Sequence, residues 1–178
     1  MSKSILLIGD SITEGFDTIK LLNEFNISNR GISGLGTEDI FEYMNEMWFV
    51  ETPELIFICI GTNDFARGIS DDTILRNIEK ICYICFEYSK NANIILTSLF
   101  PTRQNKPRPN KRIVDFNRQQ KSLAKKINCS FFDLHKYFID PSGMLKSEYT
   151  DDGLHLTRSA YEKWADEFRI YISGNWKE

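Results

Sequence analysis

Two runs constrain this chain more than anything else in it, residues 5–8 (Ile-Leu-Leu-Ile) and residues 55–60 (Leu-Ile-Phe-Ile-Cys-Ile), because both are apolar at every position and both stop abruptly at a polar turn beginning with glycine. Side chains along a strand point alternately to opposite faces, so a strand that is apolar throughout needs cover on both sides. That requirement predicts a parallel sheet between two layers of helices. The run 55–60 is the most hydrophobic in the chain and is expected at the centre of the sheet. Further strands are expected near residues 27–29, at 94–99 and at 129–133. Helical spacing of apolar residues fills the intervals. Ile19, Leu21, Leu22 and Phe25 make one modest stripe, and Ile40, Phe41, Met44, Met47 and Trp48 make another with Thr37 as N-cap. Ile74, Ile78, Ile81, Cys82 and Cys85 form a third behind a cap at Ser70 or Asp71, with Asn91 as its breaker. Residues 113–127 and then Tyr161, Trp164, Phe168 and Tyr171 supply the last two. Strands alternating with helices give an α/β class, with five parallel strands, right-handed crossovers and no internal repeat or linker.

At 178 residues the chain fits one domain, spanning 1–178, and such a domain buries about 70% of the surface its unfolded form exposes. No disulfide or metal staple is required for stability. Twenty-two basic against 25 acidic residues leave a formal charge of −3, which excludes the strongly basic balance selected by nucleic acid or an anionic membrane. The basic stretch 103–112 is broken by Pro107 and Pro109 and reads as a solvated loop that also offers contacts to an anionic or polar ligand. The first apolar run is far shorter than the ~7–15 residues of a signal peptide. A cytoplasmic location is therefore expected, with Cys59, Cys82, Cys85 and Cys129 as reduced thiols. Cys82-Tyr83-Ile84-Cys85 lies mid-helix among apolar neighbours, which favours burial over redox chemistry, and no matching ligands suggest zinc.

The chemistry gathers at one edge. In open α/β sheets ligands bind beyond the carboxyl ends of the strands, and the loops expected there carry Ser11, then Gly31 and Gly34, then Asn63, then Asp152 and His155. A serine hydroxyl becomes a nucleophile when a base takes its proton; histidine suits that task, and a carboxylate fixes its tautomer. Asp152-x-x-His155 brings both from one loop. A tetrahedral intermediate needs donors for its oxyanion, which a glycine N–H and an asparagine amide provide. Each residue also has a plainer reading. Asp10-Ser11 caps a helix, Asn63-Asp64 makes a turn, and His155 packs or caps. Asp151 competes with Asp152 at a different spacing from the histidine. The other histidine, His135, follows the fifth strand without a matching nucleophile and is assigned to structure.

Taken in order, Gly9-Asp10-Ser11, Gly31-Ile32-Ser33-Gly34, Gly61-Thr62-Asn63-Asp64 and Asp152-Gly153-Leu154-His155 resemble the four blocks of the SGNH hydrolases, the GDSL-type esterases, over about residues 4–172. The resemblance implies a flavodoxin-like three-layer α/β/α fold and a carboxylic ester hydrolase that needs no cofactor and no metal. It implies Ser11 as nucleophile, His155 as base and Asp152 as the orienting carboxylate. The N–H groups of Ser11 and Gly34 and the amide of Asn63 would form the oxyanion hole. Gly34 is preferred to Gly31 because Ile32-Ser33-Gly34 matches the family's I-x-G pattern. Two positions depart from that pattern: Ile12 stands where Leu is usual, and Leu35 where many members carry Asp. Residues 99–103 and 107–117 resemble the pocket-wall loop of small bacterial members and of the platelet-activating-factor acetylhydrolase branch. The expected partner is a small-molecule ester, with O-deacetylation of a carbohydrate or similar polar alcohol favoured over lysophospholipase or thioesterase activity. A receiver-type module would want an Asp at the end of the third strand and a Lys after the fifth, where this chain offers Gly61-Thr62-Asn63-Asp64 and Asp133-Leu134-His135, and no phosphate-loop pattern G-x-x-x-x-G-K occurs. A catalytically silent binding module is the remaining competitor, disfavoured because every presumed catalytic position is filled.

Overall fold

The computed structural model describes residues 3–176. Its sheet holds β1 (Ser4–Gly9), β2 (Asn26–Gly31), β3 (Leu55–Cys59), β4 (Asn93–Thr97) and β5 (Ser130–Phe132), ordered β2-β1-β3-β4-β5. All four pairings are parallel, and β3 lies at the centre. This is the flavodoxin-like order, whose direction reverses beside β1 and leaves a crevice at the strand ends there. The two apolar runs divide their side chains as expected. Leu6, Ile8, Ile56, Ile58 and Ile60 enter one core, whereas Ile5, Leu7, Leu55, Phe57 and Cys59 enter the other.

Two long helices cover the first core, α5 (Asp71–Tyr88) through Ile74, Ile78 and Ile81 and α6 (Asn110–Lys126) through Ile113, Phe116 and Leu123. The second core is closed by α8 (Arg158–Asn175), which inserts Trp164 and Phe168, and by the short α1 (Ser11–Glu14) with Phe16 just after it. Phe16 stacks on Trp164 with centroids 4.4 Å apart, and the Tyr161 hydroxyl donates to the Ile12 carbonyl at 2.9 Å. The helix carrying Ser11 is thereby fastened to the far end of the chain. Ser70 caps α5 by accepting from the Thr73 N–H, and the helix ends at Tyr88, ahead of Asn91. Cys82 and Cys85 are fully buried in its middle, where burial and neighbouring thiols push both pKa values up, and none of the four cysteines is in a disulfide. No described helix is long and apolar enough to cross a membrane.

Two helical stripes are shorter than their spacing predicts. The first becomes only α2 (Thr18–Leu21), with Asp17 as cap; Leu22 is buried but Ile19 is 83% exposed. The second splits into α3 (Ile40–Tyr43) and a 3₁₀ turn, Glu46–Trp48, that leaves Met47 exposed. Thr37 does not cap it. Its N–H and hydroxyl are both committed to the Asp64 carboxylate, at 2.9 and 2.7 Å, so that tertiary partner outcompetes the cap and Asp39 stands at the N-terminus. The basic stretch also departs from a solvated loop. Arg103 pairs with Asp140, Arg112 donates to Asp71 at 2.8 Å, and Asn110 exchanges hydrogen bonds with both backbone groups of Thr102 at 2.8 and 2.7 Å.

Candidate active site

Register explains why distant residues meet. Gly9 of β1 lies opposite Gly31 of β2 and Cys59 of β3, so the three chains leave the sheet side by side. Ser11 opens α1 two residues past Gly9, and Asn63 lies in the first turn of α4 (Thr62–Ala66) past β3. The late loop before α8 reaches the same edge. There the Ser11 Oγ lies 3.2 Å from His155 Nε2, and His155 Nδ1 lies 2.6 Å from Asp152 Oδ2. Asp152 Oδ1 accepts the backbone N–H groups of Leu154 and His155 at 2.9 and 2.8 Å. One carboxylate oxygen therefore braces its own loop and the other holds the imidazole. Burial is the largest influence on Asp152 and acts upward, but the His155 ring and those two N–H donors outweigh it and hold the carboxyl at about 2. Asp151 is exposed and makes none of these contacts.

The two competing glycines differ in what their N–H groups do. Gly31 donates to the Asn29 side chain at 2.9 Å, and a Cβ there would lie 2.1 Å from the Glu14 backbone nitrogen. Gly31 is thus a packing glycine that lets β2 lie against α1. Gly34 sits at φ +82° with open space around a notional Cβ, and no acceptor for its N–H or that of Ser11 is found among the described residues. The Gly34 carbonyl is held by Arg67 Nη2 at 2.8 Å, and Arg67 Nη1 reaches Asp39 at 2.6 Å. Asn63 Nδ2 donates to the Leu35 carbonyl at 3.0 Å, placing the amide beside the same loop. Leu35, which stands where many family members carry Asp, is buried in the first core.

Sequence reading missed several supports of this site. Asn29 Nδ2 donates to the Thr13 and Phe16 carbonyls at 2.8 and 3.1 Å, tying the C-terminal end of α1 to β2. Arg67 and Arg108 also act across loops, and no local pattern distinguishes them from ordinary surface cations. His135, at the start of α7 (His135–Phe138), is buried; its N–H donates to Ser98 Oγ at 2.9 Å, and it stands apart from the Ser11 cluster in the contacts it makes. No cluster of three potential metal ligands occurs among the described residues.

Asp10 does cap α1, accepting from the Ile12 N–H at 3.0 Å, and it is almost completely buried. Burial raises its pKa from 3.8 to about 7, against the pull of that N–H and of the Arg108 charge. Between those two values the folded state keeps a proton the unfolded chain has released, so this group's contribution to stability falls as pH rises through that window. Asn caps as well as Asp. Asp10→Asn should therefore gain on the wild type with pH, from near parity at pH 4 to an advantage of up to about 4 kcal/mol at pH 8, each pKa unit carrying about 1.4 kcal/mol. Urea melts of both proteins across that range measure it, and parallel pH curves would contradict it.

The chain matches the model of the GDSL-like Lipase/Acylhydrolase family over residues 7–163. It is 32% identical over 164 residues to the N-acylneuraminate cytidylyltransferase of Escherichia coli O18:K1:H7 (strain RS218 / NMEC), which covers 88% of this chain but 37% of that relative. The chain thus spans well under half of that protein's length. It is 25% identical over 184 residues to an arylesterase of Vibrio mimicus, covering 94% of this chain and 86% of the relative. A solved structure from Streptococcus pneumonia named for platelet activating factor superposes with a TM-score of 0.88 at 30% identity, over 97% of this chain and 85% of that one.

Proposed function

The chain belongs to the GDSL-like lipase/acylhydrolase family, and from that premise we propose that it is a serine esterase that removes short acyl groups, acetyl foremost, from a carbohydrate or similar polar alcohol. The observation that carries the reading is the continuous path from Ser11 Oγ through the His155 ring to Asp152, at 3.2 and 2.6 Å. In this reading Ser11 Oγ attacks the ester carbonyl carbon as its proton passes to His155 Nε2. The oxyanion is received by the N–H groups of Ser11 and Gly34 and by Asn63 Nδ2. Collapse of the tetrahedral intermediate breaks the bond to the alcohol oxygen, which takes the proton from His155 and leaves an acyl-Ser11. Water then repeats the sequence and releases the acid. Every step uses side chains and backbone groups alone.

Of the relatives, one bears on a sugar and the other only on ester hydrolysis. The cytidylyltransferase relative is named for an N-acylneuraminate, and the Vibrio relative is named an arylesterase. A second reading has its own observation. A cavity of about 500 Å³ is lined by Leu21, Leu156 and Tyr161 together with the charged Asp17, Lys20 and Arg158; neither Ser11 nor His155 lines it, and its apolar side is what would take a longer acyl chain. Initial rates on p-nitrophenyl esters from acetyl to octanoyl, at equal concentration, separate the two. Rates falling with chain length support the acetylesterase, and a preference for octanoyl moves the protein to lysophospholipase or thioesterase chemistry. Treatment with a fluorophosphonate followed by intact mass should show one adduct that is lost in Ser11→Ala; an adduct surviving that change would remove Ser11 from the mechanism.

A further inference from the structure

We propose that Arg108 is a positioning residue for this reaction, holding the Asn63 carboxamide in the one orientation that presents its N–H to the oxyanion; the inference rests on the esterase reading above. Arg108 lies in the loop between β4 and α6, and that loop is firmly built. Its N–H donates to the Asn105 carbonyl at 3.0 Å, and its own carbonyl accepts the Thr102 hydroxyl at 2.7 Å. Thr102 is in turn paired with Asn110 through both backbone groups. The guanidinium so delivered spans two neighbouring oxygens, Nε donating to the Thr62 carbonyl at 2.9 Å and Nη2 to Asn63 Oδ1 at 3.1 Å.

Asn63 is therefore gripped at both ends. Its Oδ1 accepts from a cation and one Nδ2 hydrogen goes to the Leu35 carbonyl, leaving the second Nδ2 hydrogen for a ligand. Turning the amide over would set NH₂ against a guanidinium and oxygen against a carbonyl, two donor–donor and acceptor–acceptor conflicts at once. A cation on Oδ1 also polarises the amide and strengthens its remaining N–H as a donor in a partly desolvated site. Among the described residues no carboxylate lies within ion-pair distance of Arg108, so its grip on Thr62 and Asn63 is not shared with a salt bridge. Burial lowers the Arg108 pKa, while the charges of Asp10 and Asp152 act upward, which places the guanidinium in the electrostatic field of the same site. A lysine could not replace it, since an ammonium offers no planar fork to bridge the two oxygens.

The test is a double-mutant cycle with Asn63→Ala, Arg108→Ala and the pair, using p-nitrophenyl acetate and rates normalised to Ser11 titrated by fluorophosphonate. Asn63→Ala should lower kcat by about 10²–10³, as removal of an oxyanion donor does. Arg108→Ala should lower kcat by about 10-fold to 100-fold with KM little changed, the scale of a misplaced catalytic group. In the Asn63→Ala background the same change should cost less than about 2-fold, because the group it positions is already gone. Arg108→Lys should remain nearly as impaired as the alanine variant and stands in for it if that variant does not fold. A rise in KM with kcat intact would make Arg108 a substrate-binding residue instead. An undiminished loss in the Asn63→Ala background would show that it acts independently. Either result overturns the proposal while leaving the esterase reading standing; a wild-type protein inactive on every ester overturns both.

Discussion

Ser11→Ala is expected to lower kcat for an activated acetyl ester by about 10⁶, and His155→Ala by nearly as much, with the double variant no worse than either. The expectation follows from the 3.2 Å contact between Oγ and Nε2, through which the proposed mechanism has the two side chains act as one device. A hydroxyl with no base and a base with no hydroxyl are equally idle. Neither change should unfold the protein, because the Ser11 side chain is only partly buried and that of His155 is exposed. Melting temperatures close to that of the wild type, beside the kinetics, would locate the loss in chemistry. Additive losses, the double variant falling below both singles by the product of their effects, would mean that Ser11 and His155 do not act together, and the mechanism would have to be rebuilt around another nucleophile.

Much of this arrangement was legible in the sequence because the strongest constraints are local. Residues 5–8 and 55–60 read as strands covered on both faces because short apolar runs stopped by glycine suit that better than a helix, and their glycine stops fall where the sheet ends. Asp152 and His155 are three residues apart on one loop, so their pairing needs no knowledge of the rest of the chain. Where helical spacing misled, a long-range contact had intervened. Thr37 looks like a cap until Asp64 claims both of its donors, and the helix it would have started is cut to a single turn. Ile19 has the spacing of a core residue, but α2 is too short to turn it inward. The arginines are the sharpest case. A basic, proline-broken stretch has the composition of a solvated loop, and composition carries no sign that Arg103 meets Asp140, that Arg112 meets Asp71, or that Arg108 reaches back across the sheet edge to Asn63. Oxyanion donors are hard to see for a related reason. Gly31 and Gly34 lie three residues apart, and beyond the I-x-G pattern it is the structure that separates them, Gly31 ending β2 with its N–H on Asn29 and Gly34 standing open in the loop.

The choice of Asp152 over Asp151 leads to the second large effect, in Asp152→Asn. Asp152 holds two different kinds of partner: Oδ1 receives the N–H groups of Leu154 and His155, and Oδ2 receives the ring. An asparagine placed there must turn its single oxygen toward the two backbone donors, because they cannot face an NH₂ group. Its amide nitrogen then points at Nδ1 and donates to it. That forces the ring proton onto Nε2, the atom that in the proposed mechanism accepts from Ser11. The loss in kcat should approach about 10⁴, the scale seen when a triad carboxylate becomes an amide that fixes the wrong tautomer. Asp152→Ala should be no worse, since water can take the Nδ1 proton once the side chain is gone. The carboxyl of Asp152 is held at about 2, so it stays ionised across any practical assay range and acid will not imitate the substitution by protonating it. Asp151→Asn is the control and should retain full activity. Kinetics of the three variants at neutral pH measure the effect, and Asp152→Asn retaining activity within a few-fold of wild type would show that the carboxylate braces the loop without directing the imidazole.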